Sequence, residues 1–422
     1  MKVLVSAIAC NPYAGSEGAY GWRACRALAE DHEIYVITSG DNAAPLERAR
    51  SEGLIPTNLH FRFLGRQAKC SENRMVARLQ SWKGYMDFNA AILPEASRWH
   101  AEVGFDLSHL VTYTTWRVGC DLWRLPVPLV WGPISGTEVF PSSCYGILSP
   151  SAYLFEQFRR LSGVWSRFNP GVRATARHAA VVPVTHGQAL EALVPLRGRA
   201  EGVFVFCNVF FADAHIAQLR RPGTSSPPLG PLRIFGSGNL EGRKGVAIAL
   251  HALAQLKARG LRFSYTITSR GPELEHLVAL AARLGLEREV SIGNTLSRED
   301  FFKTLQSSDI YLLPSLREGA GQTMMEAMLA GCAPVVADWC GPSEIVTEDC
   351  GIKIPVTRPE TMASAIAEAI LDLDQDRVRL MQLGNQASKR IAENYNEATY
   401  REQTRLCYEM ALGLKDSKIA KS

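Results

Sequence analysis

The 422-residue sequence lacks any apolar run long enough to cross a membrane. Its apolar runs are short, and none approaches the ~20 residues that a membrane-spanning helix needs. The first residues, MKVLVSAIACNP, contain one lysine and end in Asn-Pro, so they indicate a β-strand rather than a secretory signal. A spanning or secreted protein is therefore not expected, and the length suits two or three globular units.

Disulfide and metal patterns are also missing, because no two of the ten cysteines form the C-x2-C spacing. In a chain this long, free thiols in a reducing cytoplasm are expected. No Asp-x-Asp or His/Asp cluster is placed to hold a metal, so neither a metal nor another cofactor is expected.

The chain also has little net charge, since 46 basic and 42 acidic residues leave a balance of +4. That balance is too modest for a nucleic-acid-binding protein. The exception is the segment 157–190, which contains five arginines and no carboxylate. A patch of this kind suits an anionic membrane surface or a phosphorylated acceptor.

Within the segment 153–177 a basic amphipathic helix is predicted, with aromatic residues on its apolar side. The apolar stripe recurs at helical spacing, at Leu154, Phe158, Leu161, Trp165 and Phe168. Such a helix can lie in a membrane interface, which makes peripheral membrane contact one interpretation. The alternative is a helix packed on its own domain, with an arginine-rich wet face.

What the sequence does contain is a regular alternation of short β-type runs and helical stretches, with strands predicted in the second half at 232–238, 263–269 and 290–294, among others. This alternation indicates βαβ units and parallel sheets covered on both faces. It stops at residues 220–231, which contain four prolines and two glycines, and restarts at residue 232. The predicted order is an N-terminal α/β domain (1–212), a linker (213–231), a C-terminal α/β domain (232–395), and a C-terminal helix and tail (396–422) that packs back on the first domain.

The most informative stretch, LPSLREGAGQTMMEAMLAGCAPVVAD, starts at residue 313. A β-type run ends there, a glycine-rich loop follows, and a helix is predicted to begin near Gln322. The first backbone N–H groups of a helix have no partner within the helix. Where the neighbouring residues are small, a diphosphate can approach these N–H groups and accept their hydrogen bonds. Glu318 precedes this helix and Glu326 lies about one turn inside it. Two carboxylates would repel phosphates unless they bind sugar hydroxyls, so a ligand that is both polyol and phosphate is expected. The alternative is a capping glutamate and a surface glutamate on an ordinary turn.

The pair Glu318-x7-Glu326, followed by Ala-Met and Gly-x-Ala-Pro-Val-Val-Ala, resembles the nucleotide-sugar signature of retaining glycosyltransferases with the GT-B fold, in particular glycosyltransferase family 4. Three further motifs resemble the family in the same order: GNLEGRKG (238–245), SRGPE (269–273) and CGPSEIV (340–346). The resemblance spans most of the second half. It implies an α/β architecture of two doubly wound parallel-sheet (Rossmann-like) domains that face a cleft, the first binding the acceptor and the second the nucleotide sugar.

The resemblance also implies a role for each matched residue. Glu318 and Lys244 would be catalytic, with the carboxylate against the donor sugar and the ammonium neutralising the diphosphate, while Glu326 would bind the ribose hydroxyls. The other implied donor-binding residues are Gly238, Asn239, Arg243, Gly271, Gly319, Gly321, Gln322 and Thr323. Asn239 replaces the arginine usual in the family. Arg243 either supplies that missing charge or is a solvated helix residue.

The first half resembles the family less closely. Its glycines at 15, 18 and 21 form G-x-x-G-x-x-G, not the G-x-G-x-x-G of a dinucleotide-binding loop. GSEG resembles the N-domain loop of the family, so Gly15, Ser16 and Glu17 are candidate acceptor contacts. For Glu17 a helix cap is slightly favoured. His109 occupies the family's His position in a strand, with a satisfied core histidine as the alternative.

Taken with these features, the resemblance implies a cytoplasmic retaining glycosyltransferase of the hexosyltransferase class, with action at the inner face of the cytoplasmic membrane as one interpretation. It would move a sugar from a UDP- or GDP-sugar to a glycan or lipid-linked acceptor, in the biosynthesis of a cell-surface polysaccharide such as lipopolysaccharide or exopolysaccharide. A nucleotide-sugar epimerase or hydrolase of the same fold and a non-catalytic nucleotide-sugar-binding protein stay open as alternatives. A dehydrogenase is disfavoured by the glycine spacing.

Overall fold

The computed structural model describes residues 1–65, 74–221 and 226–413. The chain divides into two compact units. Of the described residues, the first comprises those within 1–137, 161–208 and 398–413, and the second those within 138–160 and 209–397. The segment 138–160 thus groups with the second unit, although it precedes part of the first in the sequence.

Short parallel strands form the sheets of both units, close to the positions of the β-type runs. Those of the first unit are β1 Lys2–Ala7, β2 Glu33–Ser39, β3 Leu59–Leu64, β4 Leu107–Thr112, β5 Leu129–Trp131, β6 Val182–Val184 and β7 Val203–Val205. Those of the second unit are β8 Leu232–Ser237, β9 Phe263–Thr268, β10 Val290–Asn294, β11 Ile310–Leu313, β12 Ala333–Ala337 and β13 Ile352–Ile354.

Helices connect these strands, as the alternating pattern predicts. They are α1 Ser16–Ala29, α2 Ala43–Ser51, α3 Arg74–Val103, α4 Pro150–Phe168, α5 Pro170–His178, α6 Gly187–Arg197, α7 Asp213–Leu219, α8 Val246–Ala258, α9 Leu274–Arg283, α10 Arg298–Ser307, α11 Gln322–Leu329, α12 Cys340–Ile345, α13 Pro359–Gln375, α14 Arg377–Asn394 and α15 Glu397–Ala411. None of the helices in the described part of the chain is long and apolar enough to cross a membrane.

The main sheet of the first unit has the strand order β3-β2-β1-β4-β5, and all of its pairings are parallel. β6 and β7 form a further parallel pair, and a bridge between Val130 and Val181 continues the sheet direction. All six residues of β4 are buried, which is typical of a parallel strand covered on both faces. The core includes Leu4, Ile37, Leu110 and Trp131.

The second unit has a six-stranded sheet in the order β10-β9-β8-β11-β12-β13, again with parallel pairings. Strand order reverses between β8 and β11, so the loops that follow these two strands meet at a topological switch point. Ligands of doubly wound sheets bind at such points, at the carboxyl ends of the strands. These two loops carry Lys244 and Glu318.

The C-terminal helix α15 belongs to the first unit from residue 398. Tyr400 packs edge-on against Tyr20 of α1 at 6.4 Å between ring centroids. Arg401 donates to both carboxylate oxygens of Asp31, and Tyr408 is fully buried beside His109 of β4. The tail beyond residue 413 lies outside the described residues.

The predicted linker contains regular structure at its start, because residues 213–219 form α7. This helix carries the polar residues Asp213, His215 and Gln218. The prolines that mark the segment as a linker begin only at residue 222, and residues 222–225 lie outside the description. The helix-breaking prolines therefore follow α7 in the sequence and do not interrupt it.

Candidate active site

The loop after β8 brings Lys244 to the candidate site. A short 3-10 turn at Gly242–Lys244 follows the strand, and α8 begins after Gly245. The Lys244 ammonium donates a short hydrogen bond to the Glu318 carboxylate, 74 residues later in the sequence. Both side chains are largely buried. The structure thus brings together the two residues that the sequence predicts to be catalytic.

A second cation lies on the same carboxylate. Arg243 Nη1 is 3.4 Å from Glu318 Oε2, and the same nitrogen donates to the Arg317 carbonyl at 2.8 Å. The Arg243 Nε atom donates to Glu241 at 2.6 Å. Arg243 is therefore directed towards Glu318 and not into solvent.

These charges determine the protonation state of Glu318. Burial alone would raise the pKa of Glu318, but the Lys244 ammonium and the Arg243 guanidinium outweigh it and hold the pKa below its ordinary value. The carboxylate is consequently ionised at neutral pH, flanked by two positive groups. An anionic ligand that approached would compete with Glu318 for the same cations.

Glu241 is a site residue that sequence reasoning missed. Its carboxylate accepts hydrogen bonds from Asn239 Nδ2 at 2.7 Å and from Arg243 Nε at 2.6 Å. It therefore ties together two positions of the motif GNLEGRKG. The signal that was available is its position inside the motif, between two predicted donor-binding residues.

Glycines allow the backbone to approach closely at this point. Gly238 has φ 121°, and a Cβ added there would lie 3.0 Å from Cε and Nζ of Lys244. Any other residue would displace the lysine and would also strain the backbone. Gly271 lies against the backbone of Leu240, so the loop after β9 supports the loop that carries Lys244.

The glycine-rich loop after β11 ends in the helix α11, which begins at Gln322 as predicted. Its N-cap residue is Gly321, in the left-handed conformation with φ 74°, and no side chain caps the helix. The first amides of an α-helix have no partner within the helix, so the N–H groups of Gln322 and Thr323 suit an anion. Gly319 lies in the same loop, with open space around its Cα.

Glu326 lies one turn inside α11 and is buried. Its Oε1 atom accepts a hydrogen bond from Gln322 Nε2 at 3.3 Å. The same oxygen is 3.5 Å from Nε2 of His215, which comes from α7. His215 is a second residue missed in the sequence, because it falls in the segment interpreted as a linker.

A buried ion pair holds the loop on its other side. Arg317 donates through Nε at 3.1 Å and through Nη2 at 2.8 Å to Oε1 of Glu156 in α4, 161 residues away. Both side chains are largely buried. Arg317 directly precedes Glu318, so this pair restricts the position of the loop that carries the carboxylate. No sequence signal links two residues so far apart.

The acceptor candidates lie in the first unit. Gly15 is the N-cap of α1, and the side chain of Ser16 lies outside the described part of the structure. Glu17 accepts hydrogen bonds from the N–H and the hydroxyl of Thr114, at 3.3 and 3.1 Å. Burial raises the pKa of Glu17, against these two hydrogen bonds. Its carboxylate thus contacts a neighbouring loop, which differs from the helix cap that the sequence favours.

His109, a candidate acceptor contact in the sequence, is instead the satisfied core histidine of the alternative interpretation. Its side chain is 1% exposed, with Nδ1 2.8 Å from the Tyr408 hydroxyl and Nε2 2.8 Å from the Gly132 carbonyl oxygen. Since a carbonyl only accepts, Nε2 carries the proton and Nδ1 accepts from Tyr408. Burial lowers the pKa of His109 to about 4. The ring is a neutral, satisfied core residue, with no nitrogen left for a ligand.

Two other expectations concern cysteines and metals. The nine cysteines of the described chain are free thiols, and all but Cys207 are buried. Burial raises the pKa of several of them, including Cys120 and Cys332 to about 12. Among the residues that the structure describes, no group of three or more His, Cys, Asp or Glu side chains could hold a metal.

Comparison with known proteins extends this description. Residues 224–390 match the family model described as "Glycosyl transferases group 1". The chain is 29% identical over 188 residues to the amylovoran biosynthesis glycosyltransferase AmsK of Erwinia amylovora, which is 43% of this chain and 46% of that protein. It is 32% identical over 178 residues to the phosphatidyl-myo-inositol mannosyltransferase of Mycolicibacterium smegmatis, 41% and 43% of the two chains. The matches thus span less than half the length of either relative.

Similarity of structure covers more of the chain. Anabaena HepE, solved in complex with UDP and glucose, superposes with a TM-score of 0.58 at 17% identity, over 96% of this chain and 98% of that one. At such low identity the likeness concerns the fold. The predicted fold class is confirmed, because the chain has the GT-B fold with two Rossmann-like halves. Residues 224–390 are similar to the group 1 glycosyl transferases, as the family model and the AmsK match both indicate.

Proposed function

We propose that this protein is a retaining glycosyltransferase that moves a sugar from a nucleoside diphosphate sugar, UDP- or GDP-linked, to a glycan or lipid-linked acceptor. The observation that carries the proposal is the cluster at the switch point of the second sheet. There Lys244 and Arg243 lie on the Glu318 carboxylate, next to the loop that leads into α11. The match of residues 224–390 to a glycosyltransferase family model supports it.

The charges suit the chemistry of such a transfer. When the bond between the anomeric carbon and the diphosphate breaks, negative charge develops on the departing phosphate and positive charge on the sugar. Lys244, Arg243 and the first amides of α11 would stabilise the phosphate. Glu318, ionised at neutral pH, would stabilise the oxocarbenium-like sugar. Because these cationic groups are part of the protein, the proposed transfer needs no metal.

In this proposal the two units bind different substrates. The second unit binds the donor, with Glu326 on the ribose hydroxyls, and the first unit binds the acceptor, with Gly15, Ser16 and Glu17 as candidate contacts. Among the relatives, AmsK is named for amylovoran biosynthesis and another for phosphatidyl-myo-inositol. These names support a role in the biosynthesis of a cell-surface polysaccharide or glycolipid.

Calorimetric titration with a panel of UDP- and GDP-sugars tests the donor site. Lys244→Ala and Glu326→Ala should each weaken binding of the preferred donor about 10- to 100-fold, because each removes a charged group that contacts it. Lys257→Ala is the matched control, since this lysine forms a partly exposed ion pair with Glu289. Unchanged affinity in both site variants would contradict the assignment. Consumption of the donor without any acceptor would instead indicate an epimerase or a hydrolase.

The amphipathic helix α4 supports a second part of the proposal, a peripheral contact with the inner face of an anionic membrane. Its predicted stripe is strongly solvent-exposed, with values of 66, 67, 60, 78 and 71% for Leu154, Phe158, Leu161, Trp165 and Phe168. Exposed apolar residues of this size in one helical row are typical of an interaction site. Packing on its own domain would bury them.

Charge around the stripe favours an anionic surface as the partner. Arg160 and Arg167 are exposed on α4, and Arg177 is exposed on α5. None of the three forms an ion pair with a carboxylate among the described residues. Arg159 is different, because it lies 3.9 Å from Glu138. Each basic residue near an anionic membrane contributes about 1 kcal/mol of binding free energy.

Co-sedimentation with vesicles tests the membrane contact. The protein should sediment with phosphatidylcholine vesicles that contain phosphatidylglycerol, less so at high salt, and little with phosphatidylcholine alone. Replacing Phe158, Trp165 and Phe168 by serine should abolish the binding. The control variant replaces Val278 and Val378, which are exposed elsewhere, and should bind normally. Equal sedimentation of both variants would refute the contact.

A further inference from the structure

His215 is held rigidly at the edge of the candidate donor site. It lies in α7, and its ring stacks on Phe211 at 5.2 Å with an interplanar angle of 10°. Phe302 of α10 also contacts the ring in an edge-on arrangement, at 5.5 Å between ring centroids and 88° between planes. The side chain is largely buried. Two aromatic neighbours thus fix the plane of the imidazole, which leaves its two nitrogens with defined directions.

The nitrogen on one side of the ring has a partner that fixes the tautomer. Arg298 Nη2 lies 3.3 Å from His215 Nδ1. A guanidinium has donors and no acceptor, so Nδ1 must accept. The proton of the neutral ring therefore sits on Nε2. That atom is buried and makes no hydrogen bond in the structure.

The unpartnered Nε2–H faces Glu326. Its nitrogen is 3.5 Å from Glu326 Oε1, which is longer than an ordinary N–H···O hydrogen bond. A buried polar group without a partner is unusual and calls for an explanation such as an absent ligand. A hydroxyl oxygen near both atoms could accept from Nε2 and donate its proton to the carboxylate.

We infer that His215 and Glu326 together recognise a ribose hydroxyl of the donor, the histidine as hydrogen-bond donor and the glutamate as acceptor. This inference rests on the proposed function, in which Glu326 binds the ribose. It adds a specificity-determining residue from a helix that lies outside the recognised motifs. A deoxyribose lacks the hydroxyl and leaves both buried groups unpaired, so the pair rejects it.

Titration calorimetry with UDP and GDP, and with their 2′-deoxy and 3′-deoxy analogues, tests the inference on the full chain. The wild type should bind one deoxy analogue at least 10-fold more weakly than the parent nucleotide. His215→Phe keeps the stacked ring but removes the N–H. It should bind the parent about 10-fold more weakly and reduce that discrimination to less than 3-fold. His276→Phe, at an exposed histidine of α9, is the control and should change neither value.

Arg298→Met provides a variant that retains the histidine. It removes the group that fixes the tautomer while leaving His215 in place, so an intermediate loss of about 2- to 3-fold in discrimination is expected. His215→Gln, unlike His215→Phe, retains a side-chain N–H donor. It should therefore recover part of the discrimination that His215→Phe loses. Full discrimination by a folded His215→Phe, or by Arg298→Met should His215→Phe not fold, would overturn the inference.

Glu326→Gln separates this inference from the proposed function. Weaker nucleotide binding in Glu326→Gln together with unchanged binding and discrimination in the histidine variants would overturn the role of His215 alone. Unchanged nucleotide binding in Glu326→Gln would overturn the donor site itself, and the inference with it.

Discussion

One histidine in each unit shows a difference in how fully its ring nitrogens are hydrogen-bonded. In the first unit, His109 has both ring nitrogens satisfied, by Tyr408 and by the Gly132 carbonyl. In the second unit, His215 has one nitrogen satisfied and the other unpaired near Glu326. The same residue type thus completes a core in one unit and leaves a hydrogen-bonding group available in the other. The two histidines thus differ in their unmet hydrogen-bonding capacity, although their residue type is the same.

The charged residues show the same contrast. Glu17 of the first unit is bound to Thr114, and burial raises its pKa. In the second unit the pKa of Glu318 is lowered despite burial, because two cations contact it. A carboxylate held ionised by two cations marks a candidate functional site, because those cations could also contact an anionic ligand. The following experiments test this difference, beginning with the largest expected effect.

The ion pair between Arg317 and Glu156 should dominate the stability of the site loop. Arg317→Met leaves the Glu156 carboxylate buried and unpaired, so the free energy of unfolding should fall by about 3–5 kcal/mol. Arg259→Met, which removes an exposed pair with Glu368, should change it by less than about 1 kcal/mol. Urea denaturation of both variants measures the effect. Equal losses of unfolding free energy would show that the buried pair stabilises the protein no more than the exposed pair.

Replacing the central carboxylate should affect catalysis rather than folding. Glu318→Gln removes the negative charge but keeps the shape of the side chain, so kcat should fall about 100- to 1,000-fold. His109→Leu in the first unit should leave kcat per folded molecule unchanged. Steady-state transfer assays, corrected for the folded fraction by circular dichroism, measure both. A large fall of kcat in His109→Leu would erase the contrast between the units.

Acid should destabilise the two units over different pH ranges. His109 has a pKa of about 4 in the folded protein and about 6.5 in an unfolded chain, so the unfolded state binds more protons between these values. Stability should therefore fall by about 3 kcal/mol between pH 6.5 and pH 4. The contribution of Glu318, whose pKa is lowered, is present above the ordinary glutamate value and is lost only at lower pH.

Denaturation of the wild type, His109→Leu and Glu318→Gln as a function of pH separates these contributions. His109→Leu should lose the slope between pH 6.5 and 4, whereas Glu318→Gln should keep it. A wild-type slope retained in His109→Leu would contradict the assignment of a neutral, buried histidine.

The smallest effect is expected at the surface of the first unit. Arg401 of α15 pairs with Asp31, and this pair lowers the pKa of Asp31. Because both side chains are partly exposed, Asp31→Asn should reduce the free energy of unfolding by only about 0.2–1 kcal/mol. Thermal unfolding in low and high salt measures it. A loss comparable with that of Arg317→Met would show that burial does not separate the two pairs.

Much of the fold could be predicted from the sequence. The pattern places strands at residues 232–238, 263–269 and 290–294, and the structure has β8, β9 and β10 there within one residue at each end. The start of α11 at Gln322 is confirmed as well. Such elements depend on local periodicity and on glycine, which a sequence displays directly. The helix α7 was not predicted, because the prolines after it dominate the composition of its segment.

The sequence by itself determined which residues follow the strands of the second unit, and therefore the motif that contains Glu318, Gly321 and Glu326. Only the tertiary structure decided which side chains meet. Lys244 contacts Glu318 across 74 residues, and Tyr408 satisfies His109 across 299. Hydrophobic periodicity and turn residues report on the nearest neighbours along the chain. A hydrogen bond between distant residues depends instead on how whole helices and strands pack, and no local pattern encodes that packing.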